Sequence, residues 1–159
     1  MSNEAKRVLA GFLVAEYGIE GVPARILTIG ETIASSTTLA WITAFNPLGE
    51  PRGEVENHTE QQRLCAQLRS AGMDVVSGFA RSSEAVDGHS WFEPCAVVSD
   101  PALALIDALA QEHRQLAVVV ASVTGGVRLR CYQSIWRQRF GTARTDAAGV
   151  DCGAVDWIA

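Results

Sequence analysis

Two apolar runs, Leu116 to Ser122 and Val127 to Tyr132, flank the triplet Thr124-Gly125-Gly126. No other feature of the chain constrains its fold as tightly. Adjacent glycines accept the positive φ that a short hairpin turn requires, and the flanking valines and leucines favour extended backbone. The segment reads as an antiparallel ribbon, and the other apolar runs must be placed around it.

Leu39 to Phe45 is compact and rich in β-formers, and Asn46-Pro47 stops it; Gly49, Pro51 and Gly53 then make a turn-rich loop. Further strands are expected at Arg25 to Ile29, Asp74 to Phe79 and Trp91 to Val98. Pro94 lacks a ladder donor and implies an edge or a bulge in the last of these. Residues 4 to 17 carry both helical and alternating spacing, and read as a short helical turn followed by a strand from about Gly11. Ser82 to Ser90 is a polar loop.

Two helices stand out. Val55 to Ala71 places Leu64, Cys65 and Leu68 on one face and ends at Gly72, while Pro101 to His113 has Asp100 as its cap and an apolar stripe of Leu103, Ile106 and Leu109. A chain of 159 residues has room for one hydrophobic core. The expectation is a single α+β domain with a mixed, mainly antiparallel sheet of about five to seven strands and two main helices. This domain takes residues 1–133. Residues 134–159 form an extension, packed on the domain or partly flexible, whose Trp136 and Phe140 face the domain and whose Arg137 and Arg139 face solvent.

A net charge of −5 argues against bulk attraction to nucleic acid. No apolar run approaches the ~20 residues that cross a bilayer, and no export signal opens the chain, so a cytoplasmic protein with no membrane partner is expected. Cys65, Cys95, Cys131 and Cys152 form no C-x-x-C pair and read as reduced thiols.

The order Ile42-Thr43-Ala44-Phe45-Asn46-Pro47, then Asn57 with Arg63 and Leu64, then Trp91 with Glu93, resembles the signature of the bacterial domain-of-unknown-function family 3293. The likeness extends through Gln115-Leu116-Ala117-Val118 and covers roughly Arg25 to Tyr132. It departs from the family pattern at Leu116, where asparagine is usual, and at Cys95, where serine is common. The resemblance implies candidate positions and a fold, but no reaction.

The residues point to the same places. Counting back by turns from Leu68 and Leu64 reaches Gln61 and Asn57, so an amide lies near the buried stripe at the helix start and must be hydrogen-bonded there. It either caps the helix, ties down the Asn46-Pro47 loop, or meets a ligand. Strand alternation sets Glu93 on one face with Trp91, Cys95 and Val97. A carboxyl in that position is either lowered in pKa by a cation such as Arg63 or raised by desolvation, and the ion pair is the expected state.

The catalytic candidates are therefore Glu93, as general acid or base, and Cys95, as a nucleophile served by His58, His89 or His113. The ligand-binding candidates are Asn46, Asn57, Arg63, Trp91 and Gln115. His58-Thr59-Glu60 and Pro94-Cys95 approach the zinc-deaminase signature, but Val98 stands where its second cysteine belongs, so no metal and no cofactor are expected.

Two readings of function stand. One is a small-molecule site, catalytic or not, where the Asn46-Pro47 loop, the Asn57 helix end and the Trp91 to Cys95 strand meet. The other is a non-catalytic interaction or regulatory module whose aromatic C-terminal segment docks a protein partner or a second copy.

Overall fold

The computed structural model describes residues 1–23, 26–83, 90–142 and 155–158. His89, Cys152 and most of the Ser82 to Ser90 loop lie outside them. In chain order the elements are α1 (Asn3–Val14), β1 (Ala15–Ile19), β2 (Ile26–Leu27), β3 (Leu39–Ile42), α2 (Glu54–Ser70), β4 (Val75–Ser82) and β5 (Phe92–Ser99). They continue with α3 (Leu103–Glu112), β6 (Ala117–Ser122), β7 (Gly126–Tyr132), α4 (Gln133–Phe140) and β8 (Val155–Ile158). The class is α+β. Eight strands form one curled sheet in the order β2-β1-β4-β5-β3-β6-β7-β8, where five to seven were expected. Each pairing is antiparallel, so the sheet is not mixed among the described residues.

The expected Gly125-Gly126 hairpin forms, and its register runs from Ala117 opposite Cys131 to Ser122 opposite Gly126. Gly126 has a φ of 65°, and a Cβ there would stand 2.5 Å from the Glu31 carbonyl oxygen. That closeness lets the 30–31 backbone bridge Val127: Gly30 donates to the Val127 carbonyl, and Val127 donates back to Glu31.

The N-terminal expectation needs correction. The helix continues through Gly11 to Val14, and β1 begins directly at Ala15. Ser2 caps it, its Oγ accepting from the Ala5 N–H, and Ala5, Val8 and Phe12 supply the inward stripe. The strand-like alternation after Gly11 starts too early because Leu13 satisfies both periods.

Asp100 does not cap the second helix. Its φ is 46°, its Oδ1 accepts from the Thr38 N–H, and its own N–H donates to the Thr38 carbonyl, so it joins the end of β5 to the start of β3. The helix begins at Leu103, with no side-chain cap. Pro94 lies in an interior strand, but β3 stops pairing with β5 at Ala96, leaving the proline's β3 side locally an edge. There the Thr43 hydroxyl donates to the Pro94 carbonyl at 2.9 Å.

α2 buries Leu64 and Leu68, α3 buries Ile106, Leu109 and Ala110, and the two lie side by side on one face of the sheet. α1 lies over the other face. α4 and β8 were not foreseen as elements. Trp136 is buried and donates its indole N–H to the Leu116 carbonyl, and β8 extends the sheet beside β7. Arg139 does not face open solvent, since it pairs with Glu4 and Glu50 and so ties α4 to α1.

Candidate functional site

The backbone that follows β3 turns sharply. Asn46 and Leu48 are left-handed, with φ of 47° and 62°. Asparagine tolerates that region, whereas leucine does so only where its surroundings demand it. Leu48 is buried and donates its N–H to the Arg114 carbonyl, which anchors the turn against the segment after α3.

Side-chain amides on α2 set this turn from behind. Asn57 Oδ1 accepts from the Asn46 N–H at 2.9 Å, while Asn57 Nδ2 donates to Asn46 Oδ1 at 2.9 Å. One turn along, Gln61 Oε1 accepts from the Ala44 N–H at 2.7 Å. Gln115 completes the anchorage, donating to the carbonyls of Phe45 and His113. With its oxygen engaged, the Asn46 amide nitrogen points forward and donates to Glu93 Oε1 at 2.7 Å.

Glu93 sits on the inner face of the sheet, in one cross-strand row with Ala80 and Tyr17. Burial raises its pKa above the usual carboxylate range, and the Asn46 hydrogen bond offsets part of that rise. The expected ion pair with Arg63 is absent. Arg63 lies on the far side of α2, exposed, with Glu60 and Glu112 as its partners.

A cavity of about 570 Å³ opens in front of Glu93, between the inner face of the sheet and α1. Phe12, Tyr17, Trp41 and Phe45 contribute rings to its wall, and Trp91, 37% exposed, is a further lining residue. The Trp41 indole runs over Gly78 to donate to the Gly18 carbonyl at 2.9 Å, and the missing side chain of Gly78 gives it room to lie along the sheet. Glu4 and Arg7 of α1 are the charged groups lining it from the helix side.

Of the residues singled out from sequence, Asn46, Trp91, Glu93, Cys95 and Gln115 all line this cavity. Asn57 stands one layer behind and acts through Asn46. Cys95 is buried, and desolvation together with the nearby Glu93 pushes its thiol far up, which disfavours the thiolate a nucleophile needs. The two described histidines are engaged elsewhere: both His113 ring nitrogens face Gln67 and Glu60, and His58 pairs with Glu54 and packs edge-on against Phe45. Among the described residues no group of three His, Cys, Asp or Glu side chains could hold a metal ion, and no helix is long and apolar enough to cross a membrane.

Sequence reasoning missed Phe12, Tyr17 and Trp41. Each was legible only as an apolar residue, and the α1 face could not be assigned while the segment from about Gly11 was read as a strand.

The model of a protein family described as a protein of unknown function (DUF3293) matches residues 42–118. This match supports the resemblance to that family over the matched residues, which include Asn46, Asn57, Trp91, Glu93, Cys95 and Gln115. α1, β7, α4 and β8 lie outside it. No curated protein and no solved structure matches the chain.

Proposed function

We propose that this chain, with its DUF3293 segment, binds a small organic molecule in the cavity between α1 and the sheet, and that Glu93 exchanges a proton with it. The observation that carries this reading is the Asn57 to Asn46 to Glu93 hydrogen-bond chain, which aims one carboxyl at the cavity from a shielded position. A shielded carboxyl whose pKa burial raises is suited to general acid or base work. The cavity also falls within the roughly 300–1,000 Å³ range of small-molecule pockets. The left-handed Asn46 and Leu48 add support, because such backbone costs about 1–3 kcal/mol per residue and persists where the surroundings over-determine it.

The reading as an interaction module has less behind it. The Trp136 ring assigned to a partner is buried in the chain's own fold, with Phe140 packed against it.

A metabolite thermal-shift screen tests the proposal, run on the wild type, Glu93→Gln and Arg63→Ala. A ligand at 100 times its Kd should stabilise the wild type by roughly 2.7 kcal/mol. The shift should survive Arg63→Ala and shrink in Glu93→Gln. Equal shifts in all three proteins would remove Glu93 from the role, and a screen with no stabilising compound would favour the interaction module.

A further inference from the structure

We infer that the cavity selects a molecule with an ammonium head group and an apolar body, the head seated on Glu93 and the body held among the aromatic rings. This rests on the proposed small-molecule site and names the class of its ligand.

Glu93 Oε1 is held by Asn46, and Oε2 has no hydrogen-bond partner among the described residues. No lysine, arginine or histidine among those residues lies within ion-pair distance of either oxygen. A shielded carboxylate without a cation is a costly arrangement that a cationic ligand relieves. The walls fit the same charge: Tyr17, Trp41 and Trp91 present π-systems, whose negative faces attract ammonium groups.

The other titratable groups lining the cavity are Tyr17, Cys95, Glu4 and Arg7. Tyr17 and Cys95 are held neutral by burial, and Glu4 is paired with Arg139. Arg7 is the group that would favour an anion, so a carboxylate analogue is the deciding control.

Three probes of similar shape separate the cases: 2-phenylethylammonium, 2-phenylethanol and 3-phenylpropanoate, titrated against the intact protein by calorimetry near neutral pH. The ammonium should bind at least about tenfold more tightly than the other two, and Glu93→Gln should abolish that preference. Trp91→Ala, at a partly exposed position, should weaken ammonium binding several-fold and serves if Glu93→Gln fails to fold.

Equal or tighter binding of the alcohol or the carboxylate would overturn the ammonium assignment while leaving the cavity as a ligand site. Binding of none of the three would also overturn it, and the metabolite screen would then decide separately whether the site reading stands. Ammonium binding undiminished in both variants would place the ligand elsewhere.

Discussion

The Asn46 side-chain amide donates to Glu93 across 47 positions of sequence, at 2.7 Å, from a residue whose own backbone N–H and side-chain oxygen are both held by Asn57. An amide fixed at one end can orient a carboxyl at the other. Glu93 therefore presents its remaining oxygen in a direction set by α2, an element on the opposite face of the sheet, and the chain of contacts passes through the gap where β3 stops pairing with β5.

Asn57→Ala should destabilise the fold by about 1–3 kcal/mol, because it leaves the Asn46 N–H without its hydrogen-bond acceptor in a partly buried turn. A shift in the urea midpoint at constant m-value measures this. An unchanged midpoint would mean that solvent replaces Asn57 and that the turn is not held from behind.

Glu93→Gln should change how stability depends on pH in a definite direction. The folded-state pKa lies above the ordinary value of 4.5, so the contribution of the neutral acid is fully present below 4.5 and is lost as pH rises through the raised value. Glutamine keeps an oxygen for Asn46 and cannot ionise. The variant should therefore gain on the wild type as pH rises above 4.5 and through the raised pKa, as read from paired denaturation curves. A wild type that gains on the variant over that range would indicate a stabilised carboxylate.

Gly78→Ala should cost about 1–3 kcal/mol through overpacking. The added methyl would meet Val97 Cγ2 at 2.4 Å and the Gly18 carbonyl oxygen at 2.6 Å, close beside the Trp41 indole nitrogen. Because that nitrogen donates to the same Gly18 carbonyl, the Trp41 fluorescence environment should change with the stability. Normal stability would show that β1 and β4 separate without penalty.

Sequence reading located α2 to within a residue or two, and the Gly125-Gly126 hairpin, because both depend on local chemistry: a helical stripe ended by Gly72, and a turn that glycine permits. It also placed Glu93, Trp91 and Cys95 on one strand face, since alternation is a property of any extended segment. The amides of Asn46 and Asn57 were recognisable as candidates, as polar groups at a strand end and on a buried helical stripe.

The partners of these groups could not be read that way. Arg63 belongs to the same helix as Asn57 but points to Glu60 and Glu112, while Asn46 and not an arginine reaches Glu93. The helical reach of α1 was hidden by Leu13 and Ala15, which fit two periods, and was settled by packing its stripe over the sheet. The sequence by itself determined the class of the elements and the faces their side chains share, because those follow from local backbone preference and spacing. Which carboxyl meets which amide, and that a cavity opens before them, was decided only in the tertiary structure. Such contacts join positions far apart in the chain, and their geometry depends on how the sheet curls and where each strand ends.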